Sequence, residues 1–177
     1  MMKKLIIVLL VMLVPFIGSA QTFDSYEGEK DVTSIVVTKN MFKLLAEIDL
    51  ESDDPEVKEY LELVNNLDNI KIFVTENAAI ASKMSADVKK YVASTSSLNE
   101  LMRVKDEGKN IKFYSKEGKS SSFVSELLMF MEGDIDGKEG TMIMSITGNI
   151  DLKKISKLTK DLNVPGSDEL KKIENKQ

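Results

Sequence analysis

The spacing of apolar and polar positions in the first half of the chain predicts strands that alternate with helices. Residues 32–37 are rich in β-branched side chains and residues 69–75 alternate apolar with polar positions, so both segments are predicted strands. Apolar residues recur every three or four positions after Thr38, after Asp54 and after Asn77, and this spacing predicts a helix at each place. The first half therefore consists of a strand, two helices, a strand and a helix.

The second half predicts one more helix, a run of strands and a closing helix. The spacing of Ser and Glu at 97–100 is a capping-box pattern, which predicts a helix that ends near Gly108. Strands are then predicted at 110–115, 123–131 and 141–147. Residues 123–131 are apolar on both faces, so a helix is the alternative there. Asp151 is placed to cap the last helix.

This order of elements indicates an α+β fold. We expect a single mixed or antiparallel sheet of about five strands with helices packed on one face, which makes a two-layer sandwich. The predicted organisation has four parts: a secretory signal peptide at 1–20, an N-terminal lead-in at 21–31, a single α+β domain at 32–164 and a polar C-terminal tail at 165–177. The lead-in is mostly polar and is expected to be loose.

The first twenty residues have the three parts of a secretory signal. Lys3-Lys4 gives a basic start, residues 5–17 carry no charge, and Gly18-Ser19-Ala20 supplies small residues for signal peptidase, so cleavage is predicted between Ala20 and Gln21. The alternative is an uncleaved anchor, but a membrane-spanning helix needs about 20 apolar residues. We therefore predict an exported protein, either periplasmic or extracellular.

Composition then narrows the possible partners and chemistry. Removing residues 1–20 from the 177-residue chain leaves 157 residues, enough for one domain with its own core. The net charge of −5 includes Lys3-Lys4, so the mature chain would carry −7, and nucleic-acid binding is not expected. The sequence has no Cys for lipid attachment, so we expect no stable membrane anchor after cleavage.

The absence of His and Cys also removes the common catalytic base, the thiolate nucleophile and the usual zinc ligands. Haem, iron–sulfur and blue-copper sites lose their ordinary protein ligands as well. We therefore predict that the protein uses no cofactor, holds no metal and is not an enzyme. Carboxylate-only chemistry stays open because 29 Asp and Glu residues are present.

One short pattern recurs where strands are predicted to lead into helices. Three segments share an Ile or Val followed by Thr, any residue and Asn, and the polar residues of these segments are Thr38, Asn40, Thr75, Asn77, Thr147 and Asn149. Thr and Asn commonly satisfy the free amides of a first helical turn, and we favour this interpretation. The alternative is a shared polar rim that binds a ligand at one edge of the sheet.

Three other clusters have a functional and a structural interpretation, and we favour the structural one for each. Asp134-Ile135-Asp136-Gly137 resembles the start of a calcium loop but fits a hairpin turn better, because Lys138 occupies the position of the third ligand. The thioethers of Met129, Met131, Met142 and Met144 would suit a cuprous ion, although Met at alternating strand positions is typical of core packing. Lys119 beside Ser120-Ser121-Ser122 is interpreted as a polar hairpin edge rather than a Ser–Lys pair.

Three stretches of the chain resemble a family of small exported Bacteroidota proteins that is defined as a domain of unknown function. They are LNELMRVKDEGKNIKFY at 98–114, SELL at 125–128 and SITGNIDLKKISKL at 145–158. The resemblance implies no catalytic residue. It implies a link to envelope stress, and it implies that some members are lipoproteins, which we do not expect of this cysteine-free chain.

Taken together, the sequence predicts a non-catalytic, exported cell-envelope protein that binds a protein partner or a small apolar ligand. An exposed apolar patch or a lined cavity would support this hypothesis. Two alternatives stay open. One is a carboxylate-dependent hydrolase, which needs two converging acids with separated pKa values. The other is a peripheral membrane binder.

Overall fold

A computed structural model describes residues 23–48, 55–106, 108–120, 123–135 and 137–152. In this part of the chain three helices and a short 3-10 turn (Asp24–Tyr26) accompany six strands. The helices are α1 (Lys39–Ile48), α2 (Pro55–Asn65) and α3 (Ala78–Ser94). The strands are β1 (Thr33–Thr38), β2 (Leu67–Thr75), β3 (Leu98–Asp106), β4 (Lys109–Glu117), β5 (Phe123–Ile135) and β6 (Lys138–Asp151).

The strands form one sheet in the order β1-β2-β6-β5-β4-β3, and every neighbouring pair is antiparallel. The predicted single sheet with packed helices is confirmed, but it has six strands rather than five. Helices also lie against both faces, so the predicted two-layer sandwich is wrong in that respect. On one face Phe42 of α1 and Val64 of α2 join the buried cluster, and on the other Met84 and Val88 of α3 do so.

The central strands explain why both faces are covered. In β2, Ile72 belongs to the cluster beneath α1 and α2, whereas its neighbour Phe73 belongs to the cluster beneath α3. Successive side chains of a strand point to opposite faces, so a strand that is apolar at consecutive positions needs cover on both sides. The same reasoning applies to β5, where the structure has a strand rather than the alternative helix.

The predicted helix that begins at the capping-box pattern is wrong, because residues 98–106 form the edge strand β3. Met102 and Val104 pack against the core, whereas Arg103 and Lys105, which alternate with them, are exposed; this is the period-two pattern of a half-buried strand. Glu100 accepts a hydrogen bond from Arg103 at 2.8 Å. Pairing with β4 stabilises this segment more than local helix signals do.

The described part of the predicted lead-in is packed rather than loose. Phe23 is 5% exposed and Tyr26 is 1% exposed. The Phe23 ring meets Tyr91 edge to face with 5.5 Å between ring centroids. The Tyr26 hydroxyl donates a hydrogen bond to Asp87 at 2.6 Å, and the Lys83 ammonium lies 4.4 Å from its ring centroid. Two buried aromatic rings therefore make this segment part of the domain.

Several predictions fall outside the described residues. They are the signal peptide at 1–20 with its cleavage site at Ala20 and Gln21, the helix capped by Asp151 beyond residue 152, and the tail at 165–177. Among the helices that are described, none has both the length and the apolarity required to cross a membrane.

Candidate functional site

The sheet face that packs against α3 changes from apolar to polar along three adjacent strands. Phe73 of β2, Ile143 of β6 and Phe130 of β5 are register partners, and all three are buried beneath α3. Two residues further along the same face the row becomes Lys71, Ser145 and Leu128. The next row is Asn69, Thr147 and Glu126. The same face therefore has an apolar half and a polar half.

A cleft lies above the polar half of this sheet face. The end of α3 and the N-terminal turn line the cleft opposite the sheet. The helix ends at Ser94, and residues 95–97 turn the chain into β3 through a hydrogen bond from the Leu98 amide to the Thr95 carbonyl at 2.9 Å. Asp24 of the N-terminal turn also lines the cleft. The cleft encloses about 730 Å³, a volume within the range of small-molecule sites.

Glu126 is the most buried charged side chain of this cleft, with 8% of its surface exposed. Its Oε2 accepts a hydrogen bond of 2.7 Å from the Tyr91 hydroxyl. Every buried side-chain nitrogen or oxygen in the described residues has a hydrogen-bond partner, yet Oε1 of Glu126 accepts no hydrogen bond from them. Glu126 is one of the residues that line the cleft.

Burial controls how this pair titrates. Desolvation raises the pKa of the Glu126 carboxyl, against the opposing effects of the Tyr91 hydrogen bond and the positive charge of Lys116. Desolvation also raises the pKa of the Tyr91 hydroxyl, and the adjacent Glu126 carboxylate raises it further. The tyrosine therefore stays protonated and remains a hydrogen-bond donor to the carboxylate.

Lys71 forms the rim of the cleft with two acids of the N-terminal turn. Its ammonium group donates a hydrogen bond to the Asp24 carboxylate and a second one, of 2.9 Å, to Glu27 Oε1. Burial acts to lower the pKa of Lys71, but these two bonds outweigh it and the pKa lies above its ordinary value. Asp68, also at the cleft, pairs with Lys39 at 2.7 Å. Two of the three acids here are thus already neutralised by lysines.

The arrangement suits binding better than hydrolysis. Carboxylate catalysis requires two acids whose environments separate their pKa values, one as the acid and one as the base or nucleophile. Asp24 and Asp68 each hold a lysine, which leaves Glu126 without a second carboxylate that is free to act. In the described part of the chain, no group of three or more acidic side chains is placed to hold a metal ion.

The predicted polar rim divides between two ends of the sheet. Thr38 pairs with Asn69, which pairs with Thr147 of the cleft, so these residues lie at the same end. Asn40 and Asn149 line grooves that share Asp68 with the cleft. The other two members, Thr75 and Asn77, lie at the opposite end, because β2 runs antiparallel to β1 and β6.

Of these two, Asn77 is a helix cap, as we favoured. Its Oδ1 accepts hydrogen bonds from the Ala79 and Ile80 amides at 3.0 and 3.3 Å. Thr75 is 2% exposed; its hydroxyl donates to the Asp31 carbonyl at 2.7 Å and accepts from the Asn77 amide at 3.1 Å. The six residues are therefore not one rim.

The favoured interpretations of two other clusters are confirmed. The segment after Asp134 is a hairpin turn in which Ile135 pairs with Lys138 and the Gly137 amide donates to Asp134. The four methionines form cross-strand pairs in the core, each at most 3% exposed: Met129 with Met144 and Met131 with Met142. Lys119 and Ser120 are exposed, and Ser121-Ser122 lies outside the described residues.

Glu126 and Tyr91 were not predicted as site residues. Glu126 is the only charged residue of 123–131, and a charge inside an otherwise apolar strand is a signal that could have identified it. The apolar spacing after Asn77 includes Tyr91, which accounts for its ring but says nothing of its hydroxyl. The coherent change across three strands depends on the register, which no local pattern provides.

Comparison with known protein families assigns the chain to a family. Residues 26–158 match the model of the family described as Domain of unknown function (DUF4252). The chain belongs to this family. The match extends from the buried Tyr26 past the end of β6, so it includes the sheet, the three helices and most of the cleft. No curated protein and no solved structure matches the chain. The predicted family is thus confirmed at the level of DUF4252.

Proposed function

We propose that this DUF4252 protein is an exported, non-catalytic cell-envelope protein that binds a protein partner along the outer edge of β1. The observation that carries this proposal is the concentration of exposed apolar side chains at that edge. Four of the five large exposed apolar residues in the described part of the chain belong to β1 and α1, namely Ile35, Val36, Met41 and Leu44. The fifth is Leu101 of β3.

The edge of β1 has the properties of a strand that accepts another strand. The residues of β1 carry no charge, and the strand pairs only with β2 among the described strands. Edge strands that avoid association usually carry charged residues, proline or a bulge. An incoming extended segment would gain main-chain hydrogen bonds from β1 and apolar contacts from Ile35 and Val36. A partner that presents an apolar extended segment therefore fits this surface.

The cleft argues against the other ligand class considered from the sequence. A small apolar ligand needs a cavity lined mainly by apolar side chains. The cleft at the end of α3 is instead lined, apart from Phe23, by residues with hydroxyl, amide or charged side chains. Export itself and the link to envelope stress rest on the signal sequence and on the family resemblance.

The test is a capture experiment with a matched pair of edge variants. The mature chain from residue 21, tagged at its C-terminus, is used to capture proteins from envelope extract of the producing cells. Ile35→Lys is expected to lose the captured partner, because a lysine on an edge strand opposes strand addition. Leu101→Lys, on the opposite edge, is the control and is expected to retain it.

Several outcomes would contradict the proposal. A partner that Ile35→Lys captures as well as the parent does binds elsewhere. Concentration-dependent dimerisation that Ile35→Lys abolishes would assign the edge to a second copy of the chain. Co-flotation of the mature chain with liposomes, lost in the same variant, would favour the peripheral membrane alternative.

A further inference from the structure

We propose that the polar cleft is a second binding site, for a small ligand that carries a primary ammonium group, with Glu126 as its anionic partner. This site is separate from the β1 edge and does not depend on the function proposed for that edge. Three features of the cleft favour an ammonium ligand: the position of the carboxylate, the balance of charge and the orientation of α3.

The carboxylate of Glu126 is held in place before any ligand arrives. The Tyr91 hydroxyl fixes Oε2 at 2.7 Å, Oε1 accepts no hydrogen bond from the described residues, and Glu126 lines the cleft. A charged group that is already ordered and partly desolvated loses little entropy on binding. An ammonium donor placed at Oε1 would supply the charge-assisted hydrogen bond that the site lacks.

Neither lysine of the cleft forms an ion pair with Glu126, although the positive charge of Lys116 favours its ionised form. Lys71 is engaged by Asp24 and by Glu27 at 2.9 Å. Lys116 is the register partner of Glu126 on β4, but no ion pair joins the two. Lys116 is a long, half-buried side chain whose position is not fixed by an ion pair with any described residue, so it is less pre-organised for an anion than Glu126 is for a cation.

Helix α3 adds a negative potential to the same space. The C-terminal end of a helix carries a partial negative charge, because its last carbonyl groups lack intrahelical partners. This end of α3, at Ser94, opens onto the cleft together with the hydroxyl-rich residues 95–97. Carbonyl and hydroxyl oxygens can accept the remaining hydrogen bonds of an ammonium group. The oxygens at the end of α3 and in residues 95–97 therefore complement the carboxylate of Glu126.

The proposal can be tested with three probes of equal chain length. Putrescine, 1,4-butanediol and succinate each span four carbons and end in ammonium, hydroxyl and carboxylate groups. We would titrate each probe into the isotope-labelled mature chain and follow the backbone amides by NMR. Putrescine is expected to shift the amides of Glu126 and Ser96 saturably and to bind at least about tenfold more tightly than butanediol, the ratio typical of one charged hydrogen bond.

Variants then locate the partner group. Glu126→Gln keeps the shape and a hydrogen-bond acceptor for Tyr91 but removes the charge, so putrescine affinity is expected to fall about tenfold or more. Glu139→Gln removes an exposed carboxylate from the β5–β6 hairpin and is expected to leave the affinity unchanged. Ser96→Lys places a tethered ammonium at the exposed mouth of the cleft and is expected to compete with putrescine; it serves as the deciding variant if Glu126→Gln does not fold.

Three results would overturn the proposal. Saturable shifts with succinate and none with putrescine would mean that Lys71 and Lys116 form an anion site. Equal affinity for putrescine and butanediol would mean that charge plays no part. Unchanged putrescine affinity in Glu126→Gln, or in Ser96→Lys where the former does not fold, would place the amine elsewhere.

Discussion

The two halves of the sheet face beneath α3 share the same strands and the same register, yet one half is packed and the other is open. In the apolar half, Phe73, Ile143 and Phe130 are at most 2% exposed, and Met84 and Val88 of α3 cover them. In the polar half, Asn69, Thr147 and Glu126 lie beneath the end of the same helix without being sealed by it. Residue type, rather than backbone geometry, distinguishes the halves.

This difference shows what limits the core of the domain. Burial of apolar surface beneath a helix stabilises the fold by about 25 cal/mol per Å². An amide or carboxylate, in contrast, must keep a hydrogen-bond partner to be buried at all. Asn69, Thr147 and Glu126 place polar groups side by side on three adjacent strands. Helix α3 can therefore bury only the apolar half of this face. Glu126 is buried on this border because Tyr91 supplies its donor.

The largest expected effect on stability comes from removing an aromatic ring from the apolar half. Phe73→Ala is expected to lower the free energy of unfolding by about 3–5 kcal/mol, since Phe73 is fully buried and its removal leaves a cavity between Tyr26 and the sheet. Urea denaturation monitored by circular dichroism would measure it. The matched control is Ile35→Ala on the exposed edge, expected within about 0.5 kcal/mol of the parent. A loss below about 1 kcal/mol for Phe73→Ala would mean that this half is not a packed core.

An intermediate effect on stability is expected at Glu126, where the apolar and polar halves of the sheet face meet. Tyr91→Phe removes the donor to Glu126 and is expected to cost about 1.5–3 kcal/mol at pH 7, the range for a hydrogen bond to a charged group. It should also raise the pKa of Glu126 further, because the bond favours the charged form. Denaturation and a carboxyl-detected NMR titration would report the two quantities.

Tyr114 provides the control for this border prediction. It lies on the same face and is 8% exposed, but no described residue hydrogen-bonds to its hydroxyl. Tyr114→Phe is therefore expected to change stability by less than about 0.5 kcal/mol. If both tyrosine variants cost the same, the Tyr91 hydroxyl contributes nothing specific to the carboxylate.

Much of the fold was predictable because its signals are local. The apolar spacing after Thr38 and after Asn77 predicted α1 and α3, and the alternation at 69–75 predicted most of β2. The helix predicted at the capping-box pattern was wrong, because a local pattern of four residues was judged without the pairing with β4 that decides β3. Residues 123–131 required the same non-local information to be assigned as a strand.

The candidate site was much less predictable than the fold. Thr147 was selected, but for its place at a strand end rather than for its register with Glu126. The pattern that joined it to Asn77 assumed that all strand ends share one edge, which is true of parallel strands and not of this antiparallel sheet. Glu126, Tyr91 and Lys71 come from three elements, so only their packing brings them together.

The smallest expected effect has a direction that depends on pH. The Glu126 carboxyl has a pKa above its ordinary value of 4.5 in the folded protein. Well below pH 4.5 both the folded and the unfolded state are protonated at Glu126, and the carboxyl imposes no penalty. As pH rises past 4.5 the unfolded chain releases its proton first, so the parent loses stability until the pH exceeds the folded pKa and then levels off. Glu126→Gln cannot titrate and is expected to lack this loss.

The variant and the parent should therefore separate as pH rises. At pH 4 Glu126→Gln is expected within about 0.5 kcal/mol of the parent, and at pH 7 it is expected to be the more stable of the two. Urea denaturation at several values between pH 4 and pH 8 measures the difference, with Glu139→Gln as the exposed control. A constant offset across this range would mean that the carboxylate is fully compensated in the folded state. In that case the polar half would be a satisfied surface, and Glu126 would hold no unmet charge for a ligand to neutralise.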